Sequence, residues 1–284
     1  MLIAQITDIH LGFEPNNPAE FNRRRLDQTL HRMREMRPRP DVLLITGDMA
    51  DTGDDAVSYR RLRSVLADFP VPVHFCMGNH DSRLPFRRYF PEVPEADGFI
   101  QYAVEEFPVR LLMLDTLEVG RHGGGFCEVR AAWLCDRLDE QPERPTILVL
   151  HHPPIDSGLS WMNEDPDAEW VRRLCAVVEG RANIVGLLCG HLHRPIVTRW
   201  AGLTLAVCPS TAPQVALDLD EIDPDKPDGR PMIVADPPGY ALHLWTGDAL
   251  VTHYNTADEH TVLARYEPAL QPLVQLLIAE KEGG

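Results

Sequence analysis

Three apolar runs separated by two amphipathic stretches restrict what the first eighty residues can become. Leu2-Ile3-Ala4-Gln5-Ile6, Asp41 to Ile45 and Val73 to Met77 are short and apolar, as strands buried on both faces are. Between them, residues 19–37 carry Leu26, Leu30 and Met33 at helical spacing, with arginines on the other face. Pro38 and Pro40 stop that helix, and a second one (Leu62, Val65, Leu66, Phe69) closes at Pro70 and Pro72. Strand–helix–strand–helix–strand predicts right-handed crossovers and a largely parallel first sheet. A polar cluster follows each strand: Thr7-Asp8-Ile9-His10, Thr46-Gly47-Asp48 and Gly78-Asn79-His80-Asp81. That sheet edge is where open α/β folds bind ligands.

From residue 99 the texture changes. Phe99 to Glu105 and Arg110 to Asp115 predict two neighbouring strands, and Gly123-Gly124-Gly125 predicts a mobile loop. A helix is expected over Val129 to Leu138, anchored by Trp133 and Leu134, and a strand over Thr146 to Leu150 that ends in His151-His152-Pro153-Pro154. A helix over 167–179 leads to the strand Ile184 to Leu188 and then to Cys189-Gly190-His191-Leu192-His193. Hairpins are expected around Ala201-Gly202 and around Thr246-Gly247-Asp248, with a short helix over 268–279.

The organisation expected is a core over 1–211, an excursion over 212–240, and a hairpin and helix over 241–284 completing the domain. The excursion holds six prolines and seven acids. It is expected to be a lid, a homo-oligomer contact or a solvated loop.

The chain has 284 residues and a formal net charge of −16, which weighs against large nucleic acids and anionic membranes as partners. No apolar run reaches the ~20 residues of a membrane span, and the start lacks the pattern of a signal peptide. A cytoplasmic location is expected. Six cysteines occur without a C-x-x-C pair, so buried free thiols are expected rather than disulfides.

Arg83, Arg87 and Arg88 read as a solvated helix face. Five polar clusters follow predicted buried strands, and Gly-His-Leu-His places alternate side chains on one side. Two aspartates, an asparagine and four histidines form an O/N donor set that suits Zn, Fe, Mn or Co. Seven donors exceed one tetrahedral site and suit two adjacent divalent transition metals. Asp48 stands alone on its turn and offers two oxygens, so it is the natural bridge.

The order Asp-x-His, Gly-Asp, Gly-Asn-His-Asp, His-His-Pro-Pro, Gly-His-x-His resembles the calcineurin-like metallophosphoesterase superfamily over about residues 2–208. Thr7-Asp8-Ile9-His10-Leu11, the Gly125-Phe126 segment and Pro209-Ser210-Thr211 resemble its class III cyclic-nucleotide phosphodiesterase and glycerophosphodiesterase branch. The resemblance implies a four-layer αββα sandwich with mixed sheets. It implies that Asp8, His10 and His193 hold one metal, that Asn79, His151 and His191 hold the other, and that Asp48 bridges. His80 would face the substrate with Asp81 orienting its ring, and His152 would stand behind the ligands.

The implied activity is hydrolysis of small phosphodiesters, such as 3′,5′- or 2′,3′-cyclic nucleotides or glycerophosphodiesters. Hydroxide held by the metals would attack phosphorus in line. Phosphomonoesters or phosphonate esters are the alternative substrates. A non-catalytic scaffold is the other class, but it would be free to lose ligands, and none is missing here.

Overall fold

The computed structural model describes residues 1–282. The chain runs β1 (Leu2–Ile6), α1 (Phe21–Glu35), β2 (Val42–Thr46), α2 (Ala56–Leu66), β3 (Val73–Cys76) and α3 (Arg83–Tyr89). It continues with β4 (Tyr102–Val104), β5 (Arg110–Met113), α4 (Glu128–Glu140), β6 (Thr146–Val149), α5 (Glu169–Val178) and β7 (Ile184–Cys189). The last part holds β8 (Ile196–Trp200), β9 (Leu203–Val207), β10 (Gln214–Val215), β11 (Ile233–Val234), β12 (Gly239–Trp245), β13 (Leu250–Thr256) and α6 (Gln271–Glu282).

Two mixed sheets face each other. The first has the order β13-β12-β1-β2-β3, with β1, β2 and β3 parallel and β12 and β13 antiparallel to their neighbours. The second has the order β4-β5-β6-β7-β9-β8, with β5, β6, β7 and β9 parallel. The first sheet is therefore less purely parallel than residues 1–81 alone predict, because a late hairpin completes its edge.

Every residue of β2, Val-Leu-Leu-Ile-Thr, is buried, as a central strand covered on both faces requires. The second sheet shows the two-residue period of a pleated strand. Leu111, Met113, Ile147 and Val149 join the core shared with the first sheet. Their neighbours Leu112, Leu148 and Leu150 join a separate core with Leu134 and Leu138 of α4 and Leu174 of α5. Four layers follow from this alternation: helices, sheet, sheet, helices.

The second helix stops at Leu66, so Phe69 lies beyond it in a turn that bonds back to the Leu66 carbonyl. Gly123 to Gly125 is not the free loop its composition suggests. The Gly125 N–H donates to the Thr116 carbonyl at 2.9 Å, the Gly124 N–H donates to Glu164, and both glycines are buried. All six cysteines are free, with Cys76, Cys189 and Cys208 buried. Arg83 departs from a solvated face: it makes a bidentate pair with Asp115, 2.7 Å at each contact. Among the described residues, no helix is long and apolar enough to cross a membrane.

Candidate metal centre

The turns that end β1, β2, β3, β6 and β7 meet at one edge and interlock. The His10 N–H donates to the Asp48 carbonyl at 2.9 Å, the Asp8 N–H to Gly47 at 3.1 Å, and the Gly190 N–H to His151 at 3.0 Å. Five of the expected donors sit at positive φ: Asp8 (51°), His10 (49°), Asp48 (49°), His191 (72°) and His193 (53°). Such backbone costs on the order of 1 kcal/mol per residue and persists where the surroundings impose it, as at functional sites. Gly78 opens the turn, its carbonyl accepting the Asp81 N–H at 3.1 Å, and its lack of a side chain serves a second contact. A Cβ there would lie 2.2 Å from Asp48 Oδ1 and 2.5 Å from the Asp48 nitrogen. Its glycine permits contact between two turns.

The seven expected donors converge. His193 Nε2 lies 3.3 Å from Asp8 Oδ1 and 3.3 Å from His10 Nε2. On the other side, His151 Nε2 lies 3.3 Å from Asn79 Oδ1, and its ring centroid is 5.1 Å from that of His191. Asp48 Oδ2 stands between the groups, 3.4 Å from His151 Nε2 and 3.7 Å from His10 Nε2. Its other oxygen is already used, accepting the His80 N–H at 2.8 Å. Asp48 Oδ1 is thus shared with a backbone donor, while Oδ2 faces both groups of donors. Asp8 is built alike: Oδ2 accepts the His191 N–H at 3.0 Å, and Oδ1 is buried without a hydrogen bond, with His193 Nε2 at 3.3 Å.

The residues fit a pair of cations. Donors ~2.1 Å from one ion stand ~3.0–3.4 Å apart at tetrahedral to octahedral angles, as the His193–Asp8, His193–His10, His151–Asn79 and His151–Asp48 pairs do. His191 Nε2 is also buried without a hydrogen-bond partner. The charges point the same way. Burial would raise Asp48, but His151, His10 and His80 hold it well below the usual carboxylate range. Burial would lower His151, but Asp48 and Asp8 push it up to about 9. The acidic pair thus draws protons onto imidazoles, the positive charge a cation would otherwise supply. Burial and neighbouring imidazoles hold His191 and His152 well below the ordinary histidine range, so both are neutral with a lone pair to offer.

The Asp81 carboxylate does not orient the His80 ring. It accepts from the backbone N–H groups of Met49, Ala50 and Gly78, at 3.1, 3.3 and 3.0 Å, and from the Tyr59 hydroxyl at 3.0 Å. The turn folds Asp81 back beneath the loop, where burial and Asp48 push it up to about 7. His80 Nδ1 instead meets the Asp51 carbonyl at 2.7 Å. His152 Nδ1 pairs with Thr116 Oγ1 at 2.8 Å, while its ring packs 4.7 Å from that of His191.

Two residues at the site escape the sequence analysis. Asp51 Oδ1 lies 3.4 Å from His10 Nδ1, placed to fix that ring's tautomer. His122 packs at a tilt against His191 at the rim, ring centroids 4.7 Å apart. The second aspartate of Gly-Asp-Met-Ala-Asp was the available signal for Asp51. A lone histidine before three glycines gave none.

Above the donors opens a cavity of about 500 Å³. His10, Asp48, Asn79, His80, His191 and His193 line its floor, and Asp8 and His151 are fully buried.

The model of the calcineurin-like phosphoesterase family matches residues 1–195. A probable glycerophosphodiester phosphodiesterase of Arcobacter nitrofigilis is 30% identical over 259 residues, covering 89% of this chain and 92% of the relative. A probable cyclic nucleotide phosphodiesterase of Rhodopseudomonas palustris is 36% identical over 245 residues, 84% of each chain. A purple acid phosphatase from yellow lupin shares the fold, with a TM-score of 0.61 at 14% identity; the match covers 90% of this chain and 51% of the lupin chain. With its interlocked turns and O/N donor set, this chain belongs to the calcineurin-like phosphoesterase family.

Proposed function

We propose that the chain is a dinuclear-metal phosphodiesterase acting on small soluble diesters, with cyclic nucleotides and glycerophosphodiesters as the candidate classes. The observation that carries this is the convergence of the donors around Asp48 Oδ2, beside Asp8 Oδ1 and His191 Nε2, which are buried without a hydrogen bond. Asp8, His10, His193 and Asp48 would hold one divalent transition metal, and Asn79, His151, His191 and Asp48 the other. When bound, such cations supply Lewis acidity to the phosphoryl oxygens and to a water.

The chain's own groups position and protonate. The His80 ring donates through Nδ1 to the Asp51 carbonyl, which leaves Nε2 for the cavity that His80 lines. With a second proton on Nε2, as the imidazolium, it can there donate to a phosphoryl oxygen or pass that proton to the leaving alkoxide. Asp51 and Thr116 hold the rings of His10 and His152 from behind. A cavity of about 500 Å³ suits a small molecule, and the charge of −16 disfavours a long polyanion.

The deciding experiment is a kinetic panel on protein stripped of metal and reloaded with Mn²⁺, Zn²⁺, Co²⁺ or Fe²⁺. It compares cyclic nucleotides, glycerophosphodiesters and chromogenic mono- and diesters, with metal content measured on each sample. Diester turnover that follows the second metal equivalent is expected. Two equivalents bound with no diester turned over would refute the proposal.

A further inference from the structure

We infer that the mouth of this cavity is a recognition surface for an uncharged ring, which on the phosphodiesterase reading selects monoanionic diesters carrying an aromatic or similarly flat substituent. Four large apolar side chains from four separate segments gather there. Phe13 comes from the loop after β1, Phe21 from the first turn of α1, Trp161 from the loop before α5, and Ile233 from β11. They remain 65%, 36%, 37% and 53% exposed. Apolar groups clustered around a cavity and left in water mark a surface that something covers.

These segments are tied in place. The Arg25 guanidinium of α1 donates to the carbonyls of Thr211, Ala212 and Asp236, at 2.7, 3.1 and 2.7 Å, and so ties the 212–240 excursion down at its start and near its end. The Asn163 side-chain oxygen accepts from the Ser157 N–H and hydroxyl, at 2.8 and 2.6 Å, which closes the loop that carries Trp161. The Ile222 N–H donates to Ser160 Oγ at 3.3 Å, which joins excursion and loop beside Trp161. Phe13 and Trp161 suit offset stacking with a ring, beside Phe21, whose ring already carries the Arg24 and Arg25 guanidinium groups at 5.7 and 5.3 Å from its centroid.

Charge narrows the class further. Among the described residues, no lysine or arginine lines the cavity, and its carboxylates are Glu14, Asp48 and Asp51. Glu14 accepts from the Phe21 N–H at 3.1 Å and from Asn17 Nδ2 at 2.7 Å, which keeps it ionised at the mouth. The single charge of a diester is met at the floor. A second anionic group would face ionised Glu14 at a mouth that no lysine or arginine lines. A polyol would lose water against apolar walls and gain little in return.

Calorimetric titration of the Mn²⁺-loaded protein with diphenyl phosphate, dimethyl phosphate and bis(4-carboxyphenyl) phosphate tests this. Diphenyl phosphate should bind about tenfold more tightly than dimethyl phosphate, and the added carboxylates should lower affinity by about tenfold. Trp161→Ala and Phe13→Ala should shrink the diphenyl-to-dimethyl ratio to about twofold, while Trp161→Phe keeps most of it. Equal affinity for all three anions, or a ratio that survives both alanine variants, overturns the inference. So does a dimer that Trp161→Ala dissociates without changing the ratio, since the rim would then be an interface between copies. Turnover of bis(p-nitrophenyl) phosphate, assayed on the same preparation, separates the two ideas: ring-selective binding without turnover sinks the phosphodiesterase reading and leaves the surface standing.

Discussion

His80 Nδ1 lies 2.7 Å from the carbonyl oxygen of Asp51, and the His80 N–H lies 2.8 Å from Asp48 Oδ1. Both partners belong to the turn after β2, whereas His80 follows β3. The imidazole expected to face substrate is thus positioned by the same turn that supplies the expected bridging carboxylate. Metal geometry and substrate geometry share one support.

That shared support still allows the two roles to be separated. His80→Ala should retain two metal equivalents while kcat on diesters with poor leaving groups falls about 100-fold. The loss should be smaller for p-nitrophenyl esters, whose leaving group needs no proton. Metal analysis beside kcat checks it; a variant that binds one metal fewer would make His80 a ligand.

Asp48→Ala should behave in the opposite way. Oδ2 stands between the His10 and His151 sides, 3.7 and 3.4 Å from their Nε2 atoms, so both sites should fall below one equivalent together. Asp48→Asn keeps an oxygen of similar shape but no charge, and it should fall in between. Two equivalents retained in Asp48→Ala would remove the bridge from the proposal.

Gly78→Ala probes the interlocking itself. The added methyl would lie 2.2 Å from Asp48 Oδ1 and 2.5 Å from Asp48 N, and the latter is backbone that cannot swing aside. The expected cost is roughly 2–4 kcal/mol in urea unfolding, with metal binding weakened as the turns separate. Gly98→Ala supplies the comparison: φ is +83° with nothing within 4 Å, so backbone strain alone should cost about 1 kcal/mol. Equal costs for the two variants would mean that the turns can slide apart freely.

The strand ends are legible in sequence because runs such as Val42 to Thr46 are buried on both faces and stop at glycine. Placing Asp8, Asp48, Asn79, His151 and His191 at one edge needs only parallel strands and right-handed crossovers. The left-handed backbone of Asp8, His10, Asp48, His191 and His193 is not legible, because neighbouring turns impose it and residue type does not. Asp81 misleads for a related reason. Adjacency in sequence suggests that it orients His80, but the turn sends consecutive side chains in different directions. Asp51 and His122 lie on irregular segments where no period marks a face. The second half of the first sheet was harder to place because β12 returns from far along the chain to pair with β1.

A buried imidazole between the sheets should make stability pH-dependent. His243 is fully buried, with Nε2 2.9 Å from Gln5 Oε1 and Nδ1 2.8 Å from Thr252 Oγ1. Gln5 in turn donates to Thr46 Oγ1 and to the Cys189 carbonyl, each at 2.9 Å. Burial, aided by His253, pushes His243 down to about 3, so it stays neutral in the folded chain across ordinary pH. The unfolded chain takes up that proton near pH ~6.5. Below that pH the unfolded state holds more protons, and stability falls as pH falls, by about 1.4 kcal/mol per unit for this group, down toward its folded value. His243→Gln removes the titration while keeping a side chain that can hydrogen-bond. Urea unfolding of both proteins in EDTA, from pH 7.5 to 4, isolates the effect as a difference. The wild-type advantage should be constant above pH ~7 and shrink steadily below pH ~6. A flat difference across that range would show that His243 gains its proton inside the fold.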